Sequence, residues 1–86
     1  MDAMIPLRLL VRGEPAVVED LCGPDGEVHR LREMGFEPGV EVEMVRVGNP
    51  CIVRVGHHRL CLRCDDSIHI LVRPKPYAAP TRDVAV

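Results

Sequence analysis

The residues best suited to chemistry in this chain are histidines and cysteines in its second half. Cys61 and Cys64 form a C-x-x-C pair, a spacing that chelates zinc when it lies on a turn. His57 and His58 are adjacent beside a glycine, and His69 follows further along the chain. Imidazole and thiolate bind borderline divalent ions such as Zn(II) and Fe(II). The pattern therefore offers a weak divalent-metal site formed by His57, His58, Cys64 and His69.

The same residues also have simpler structural interpretations. Cys61 falls in a segment that predicts a strand, where side chains at i and i+3 face opposite sides, and no second C-x-x-C is present. Adjacent histidines in a turn commonly face solvent, whereas a metal needs three or four converging ligands. Only a bend at Cys64 would bring the sulfurs of Cys61 and Cys64 together. The histidine site requires His58 and His69 to face one side of the fold, with Cys64 near. No motif in the sequence requires a cofactor.

Catalysis through hydroxyl groups has little support. Ser67 is the only serine and Thr81 the only threonine. Ser67 follows Asp65 and Asp66 between two segments with strand patterns, a setting typical of a turn. We therefore expect a protein that is not an enzyme.

Two glutamates share one face of a predicted strand. Glu41 and Glu43 are two residues apart, so both side chains point to the same side. Paired carboxylates perform acid–base chemistry only where a cleft shifts their pKa values. Arg59 and Arg63 also share a face and could pair with these carboxylates across strands. The two glutamates are best explained as a solvated outer surface.

Composition indicates one small domain with an aliphatic core. The chain has 86 residues, 47% of them hydrophobic, and its only aromatic residues are Phe36 and Tyr77. The formal net charge is −2, so the chain lacks the basic excess typical of nucleic-acid binders. The scarcity of aromatic residues also leaves no platform for stacking single-stranded bases. We do not expect a nucleic-acid partner.

The sequence shows no sign of export or of membrane insertion. No apolar run reaches the roughly 20 residues needed to cross a bilayer. Residues 1–4 carry neither the positive region nor the apolar stretch of a secretory signal. We expect a cytoplasmic protein, in which the four cysteines stay reduced.

The strongest local pattern is a helix followed by two turns. A helix is predicted over residues 26–34, with Asp25 as its N-cap. Gly35 then stands where a helix end needs a left-handed residue, which glycine adopts without a Cβ penalty. Pro38 and Gly39 suit the central positions of a type II turn. The helix should therefore end sharply and pass directly into a strand.

The rest of the pattern predicts antiparallel strands. Residues 40–44 alternate with period two, and the break at Met44–Val45 indicates a bulge or a bend. The connections within 40–72 are too short for parallel crossovers. Turn signals at a spacing of roughly 8–12 residues favour a small barrel or sandwich. Five segments have strand patterns: 16–21, 40–44, 51–55, 59–63 and 68–72.

These elements divide the chain into a domain and a tail. Residues 1–73 are assigned to the β domain, and in its last strand Ile68, Ile70 and Val72 should face inward. Residues 74–86 contain three prolines and no periodicity. We expect them to form a disordered tail.

Two motifs in this chain resemble the FeoA family. The first is Leu-x-x-Met-Gly-x-x-Pro-Gly, and the second is a later Leu-x-Leu-Arg. The residues that carry them are Leu31, Met34, Gly35, Pro38, Gly39, Leu60, Leu62 and Arg63. The resemblance covers about residues 7–72. It implies a mainly β fold, a small SH3-like antiparallel β-barrel with one short helical insertion. It also implies a role in ferrous iron uptake, with the cytosolic part of the membrane permease FeoB as partner.

Apolar residues near the helix are candidates for the partner surface. For Leu31 and Met34, core packing is the better explanation. Phe36 follows the helix stop, where we expect it to be partly exposed, and Leu21 ends the preceding strand. We therefore take Leu21 and Phe36 as the candidate partner surface.

Two functional hypotheses follow. The first is a non-enzymatic accessory protein that binds the cytosolic part of a FeoB-type permease and modulates transport. The alternative is a transition-metal-binding protein or chaperone that uses His57, His58, His69 and Cys64. A domain that regulates a repressor or nucleic acid is disfavoured by the acidic balance. The sequence does not determine whether the protein is a monomer or a homo-oligomer.

Overall fold

The computed structural model describes residues 4–75 of the chain. Within this range six strands form one antiparallel sheet, in the order β1-β6-β2-β3-β4-β5. The strands are β1 (Ile5–Pro6), β2 (Pro15–Leu21), β3 (Glu41–Arg46), β4 (Cys51–Val55), β5 (His58–Leu62) and β6 (Ile70–Pro74). The helices are α1 (Asp25–Glu33), α2 (Cys64–Ser67) and a 3-10 helix (Leu7–Leu9). The predictions of a mainly β, antiparallel fold and of a helix after the early strand are confirmed.

The core is aliphatic, as the composition predicts. In β4, alternation puts Cys51, Val53 and Val55 on the buried face. Burial raises the pKa of the Cys51 thiol, so this side chain behaves as a small apolar residue. The other buried apolar residues are Leu7, Leu10, Ala16, Val18, Leu21, Leu31, Phe36, Val42, Met44, Leu62, Ile70 and Val72.

Strand β3 is irregular where its alternation breaks. The register between β3 and β4 shifts between Met44 and Arg46, so Val45 is the extra residue. The predicted bulge is confirmed, and a bulge bends its strand and increases the local twist. A second shift lies between Val18 and Asp20, where β2 pairs with β6. The sequence pattern did not indicate this second register shift.

The segment before β6 differs from the prediction. Residues 65–67, which were expected to form a loop turn, belong to the short helix α2. Two aspartates near the start of this helix suit its N-terminus. The Ser67 hydroxyl is buried and donates to the carbonyl of Cys64 at 3.0 Å. Because β6 begins only at Ile70, Ile68 is not in a strand, and 43% of its surface is exposed. The expectation that Ile68 faces inward is therefore wrong.

The two ends of the domain meet in the sheet. β1, which was not among the five predicted strands, pairs with β6. β6 runs to Pro74, and the amide of Lys75 donates to the carbonyl of Pro15 at 3.1 Å. The first two residues of the predicted tail are thus held by β2. The remaining residues of that tail, 76–86, lie outside the described part of the chain.

The start of α1 also differs from the prediction. Asp25 is the first helical residue, Pro24 occupies the N-cap position, and no side chain caps the helix. The predicted cap role of Asp25 is therefore wrong. Its carboxylate instead lies in the first turn, where it is favourable to the helix dipole. The helix ends at Glu33, and Met34 is its C-cap.

Candidate interaction surface

The glycine after α1 closes the helix as the sequence predicts. Gly35 has φ +109°. Its amide donates to the carbonyl of Arg32 at 3.0 Å, and the amide of Phe36 donates to the carbonyl of Leu31 at 3.1 Å. These two bonds define a Schellman motif, which satisfies carbonyls that a helix end otherwise leaves free. The helix therefore ends sharply, and the chain turns back toward the core at Gly35.

The Pro-Gly turn then connects α1 to β3. Gly39 has φ +95°, and the amide of Val40 donates to the carbonyl of Glu37 at 3.0 Å, as in a type II turn. The amide of Gly39 also donates to the carbonyl of Val18 at 2.8 Å. The turn is thus fixed to β2, and the predicted roles of Pro38 and Gly39 agree with this geometry.

The residues proposed from the sequence as a partner surface are buried. Phe36 is 0% exposed and Leu21 is 8% exposed. The Schellman motif explains Phe36, because the residue after the glycine commonly packs on the apolar residue three positions before the cap, here the buried Leu31. Leu21 pairs with Ile70 at the end of β2 and joins the core. The expectation of an exposed Phe36 is wrong, and these two side chains offer no surface to a partner.

The Leu-x-Leu-Arg motif spans the junction of β5 and α2. Leu62 is buried and Leu60 packs against the core from a half-buried position. Arg63 precedes α2, and its carbonyl accepts from the amides of Asp66 and Ser67, both at 3.0 Å. Its backbone thus starts the helical turn, while its side chain is exposed. The eight motif positions therefore lie in the core, at its edge, or in the turns and caps that shape the backbone.

The predicted metal ligands are spread over the fold. His57 lies in the turn before β5 and His58 is the first residue of that strand, both exposed. Cys64 lies beyond the other end of the strand. The five residues of β5 separate the two ends by roughly 13 Å, far more than one ion spans. The required bend at Cys64 is present as α2. Nevertheless, residues 4–75 contain no group of three or more His, Cys, Asp or Glu side chains that could hold a metal ion.

His69 instead fills a structural position next to a glycine. A Cβ atom placed on Gly23 would lie 2.6 Å from His69 Nδ1, so the imidazole packs directly on this backbone. The carbonyl of His69 accepts from the amide of Cys22 at 2.9 Å, and its amide donates to the carbonyl of Asp66 at 3.1 Å. The contact holds the loop before α1 against the start of β6.

The charged outer face is arranged differently from the sequence expectation. Glu43 forms an ion pair with Arg54 of β4. Glu41 pairs with Lys75 at 2.6 Å, and the hydrogen bond and charge of Lys75 lower the pKa of this carboxyl. The expected pairing of these glutamates with Arg59 and Arg63 is wrong, because β4 lies between β3 and β5. Within residues 4–75 the glutamates pair with Arg54 and Lys75 instead. That strand order cannot be read from local alternation.

An arginine that the sequence analysis did not single out connects the two helices. Arg30 Nη2 lies 2.5 Å from Glu27 Oε1 and 2.8 Å from Asp66 Oδ1. Hydrogen bonds to these two carboxylates raise the pKa of Arg30. The Glu27–Arg30 spacing was a visible signal for an intrahelical pair, but nothing local indicated Asp66.

Apolar side chains suited to docking are exposed elsewhere. The large ones are Met4, Leu9, Val11, Val47 and Ile68. The 3-10 helix that carries Leu9 packs against α2, which precedes Ile68. Val47 lies at the end of the β3–β4 hairpin.

In the part of the chain that the structure covers, no helix is long and apolar enough to cross a membrane.

Comparison with known proteins identifies the family. A family model described as the FeoA domain matches residues 5–74. The FeoA protein of Stenotrophomonas maltophilia, a prokaryotic SH3-domain protein solved with zinc, is 37% identical, with a TM-score of 0.66 over 84% of this chain and 88% of that chain. A role as an activating factor of ferrous iron transport has been suggested for that protein. No curated protein matches this chain.

Two further structures share the fold. An iron uptake regulatory protein, also a FeoA, is 23% identical, with a TM-score of 0.80 over 85% of this chain and all of that chain. The IdeR protein of T. acidophilum is 20% identical, with a TM-score of 0.77 over 85% of this chain and 35% of that chain. At these identities the likeness concerns the fold alone. The family match and the Stenotrophomonas relative show that the chain belongs to the FeoA family, which is associated with ferrous iron transport and has an SH3-like fold.

Proposed function

We propose that this protein is a cytoplasmic accessory protein of ferrous iron uptake, which binds the cytosolic part of a FeoB-type permease and modulates transport. The observation that carries the proposal is the FeoA match over residues 5–74, which includes the whole sheet. The activating role suggested for the Stenotrophomonas relative points in the same direction.

Such a protein acts through binding free energy and supplies no catalytic group. A bound partner shifts a conformational equilibrium only by the difference between its affinities for the two states. A rigid partner is suited to this task, because little of its binding energy is lost in ordering its own chain. The Schellman motif, the Pro-Gly turn and the closely packed His69 all fix loops of this domain to its sheet.

The proposal is tested by titrating ¹⁵N-labelled protein with the permease's cytosolic domain and following amide shifts. We expect localised shifts without added metal, at exposed residues such as Val47 or Leu9 and not at Phe36. Repeating the titration anaerobically with Fe(II) tests the metal alternative. Shifts that appear only with Fe(II) and are confined to His57, His58, Cys64 and His69 would refute the accessory role and favour metal binding.

A further inference from the structure

An open groove lies between the turn before β2 and the hairpin of β3 and β4. It has a volume of about 540 Å³ and is lined by Arg12, Val45, Arg46, Val47 and Ile52. We call it the Arg12–Arg46 groove. Its volume lies within the usual range of ligand pockets, roughly 300–1,000 Å³. It can therefore accommodate several side chains of a partner.

The turn on one side of the groove is held firmly. The amide of Glu14 donates to the carbonyl of Val11 at 3.0 Å, and Glu14 Oε1 accepts from the amide of Val11 at 3.0 Å. Gly13, with φ +84°, donates its amide to the carbonyl of Met44 at 2.6 Å. Arg12 is thus presented on a closed turn that is tied to β3. This side of the groove is formed before any partner arrives.

The floor of the groove is apolar and accessible. Val45 is the extra residue of the bulge and is half-buried, as is Ile52 opposite Arg46. Val47 is 57% exposed, and Val11, in the same turn as Arg12, is 62% exposed. Exposed aliphatic side chains gathered beside a groove are a common feature of protein interaction sites.

The rim of the groove carries positive charge that is not neutralised within the protein. Among residues 4–75, neither Arg12 nor Arg46 lies within ion-pair distance of a carboxylate, whereas Arg30, Arg54 and Arg73 each do. Both groove arginines are exposed. They can therefore form charge-assisted hydrogen bonds with carboxylates of a partner.

The neighbouring strands extend this basic surface. In register, Ile52 lies opposite Cys61. Arg59 lies two residues before Cys61 on the same outer face of β5, and the exposed Arg63 follows the end of this strand. Neither of these arginines forms an ion pair within the described range. The chain as a whole has a net charge of −2, so the positive charge is a local feature. A second copy would bring the same cations to this face, and their repulsion disfavours self-pairing here.

We propose that the Arg12–Arg46 groove docks an extended acidic and aliphatic segment of the permease partner. Aliphatic side chains of the segment pack on Val45, Val47 and Ile52, and its carboxylates pair with Arg12 and Arg46. The identity of the partner rests on the proposed function, whereas the chemistry of the segment rests on the groove.

The preference of the groove for an acidic and aliphatic segment is tested with three labelled octapeptides and the full chain. The first peptide alternates Glu and Val, the second replaces each Glu by Lys, and the third replaces each Val by Ser. By fluorescence anisotropy we expect the first to bind at least about tenfold more tightly than the others, and more weakly as salt is raised. Amide shifts should centre on Val45, Val47 and Ile52. Equal binding of the three peptides, or shifts elsewhere, would overturn the proposal.

Charge-reversal variants test the two arginines. Arg12→Glu and Arg46→Glu should each weaken binding of the acidic peptide by about tenfold or more. Arg32→Glu makes the same change on the exposed face of α1 and should leave binding unchanged. Val47→Ser tests the apolar contact without changing charge. Since all four side chains are exposed, a thermal melt should show folded proteins. Unchanged binding by the groove variants, or groove-dependent dimers in sedimentation, would contradict the proposal.

The same variants separate this inference from the proposed function. If the permease's cytosolic domain binds the wild-type protein but not Arg12→Glu or Arg46→Glu, the groove inference and the proposed function are both supported. If it binds the wild type and both groove variants equally, the groove inference fails while the proposed function stands. If the domain does not bind but the acidic peptide does, the proposed function fails and the groove remains a site for acidic segments.

Discussion

Replacing Gly35 with alanine should destabilise the domain through its backbone and hardly through its contacts. A Cβ atom at this position would lie 3.4 Å from Val55 Cγ1, an ordinary van der Waals distance. The backbone, however, has φ +109°, and such a conformation costs a non-glycine residue about 1–3 kcal/mol. Alanine also restricts the unfolded chain, which offsets about 0.4–1 kcal/mol of that cost. The net loss in the free energy of unfolding should be about 1–2 kcal/mol.

A glycine inside α1 provides the control. Gly26 lies in the first turn of α1, and an added Cβ would meet no atom within 4 Å. Gly26→Ala should therefore stabilise the domain by about 0.5 kcal/mol through helix propensity.

Urea denaturation and thermal melts of the two variants measure the difference. For a domain of this size, the loss expected for Gly35→Ala lowers Tm by about 5–15 °C. If Gly35→Ala were as stable as the wild type, the helix stop would not depend on a glycine conformation. If both variants lost stability equally, the argument from backbone conformation would be refuted.

Three further substitutions test other features of the fold. Phe36→Ala should cost about 3–5 kcal/mol in urea denaturation, because it opens a cavity in the core. Gly23→Ala should be destabilising, since its Cβ meets the imidazole of His69 at 2.6 Å, and the loss should shrink when combined with His69→Ala. NMR titration should give Glu41 a pKa below its ordinary value, and Lys75→Met should raise it. Because the folded pKa is depressed, the contribution of this pair is present above the ordinary pKa of glutamate and is lost as pH falls through the folded value.

Each of these predictions has an outcome that contradicts it. A cost for Phe36→Ala no larger than that for alanine at the half-exposed Leu9 would place Phe36 outside the core. Additive losses in the Gly23 and His69 variants would mean that the two residues do not interact. An unchanged Glu41 titration in Lys75→Met would remove this ion pair from the solution structure.

Local chemistry in the sequence predicted much of the fold. The conformations at Gly35 and Gly39 follow from what glycine and proline permit, whatever the rest of the chain does. The bulge at Val45 was visible because alternation failed there. These features are decided within a few residues of each other, so a single sequence contains the information that specifies them.

The surface was harder to predict, because it depends on strand order. Phe36 is an exception, because a helix stop of the kind predicted at Gly35 commonly packs the residue after the glycine against the helix. The pairs Arg30–Asp66 and Glu19–Arg73 join elements that lie far apart in sequence. The Arg12–Arg46 groove likewise forms only where a turn before β2 meets the β3–β4 hairpin. Local sequence patterns do not indicate contacts between elements that lie so far apart in the chain.

The position of β6 has a consequence for how the domain is made. Ile5 pairs with Val72, so β1 has no strand partner in the sheet until nearly the whole described chain has left the ribosome. Hairpins such as β3–β4 can form early from neighbouring residues, but β6 must enter between β1 and β2. Contacts between residues this distant in sequence slow folding, because the chain must close a long loop first. Until β6 is made, the edge of β2 is therefore unpaired and the core lacks Ile70 and Val72, and in this period such incomplete structures are open to aggregation.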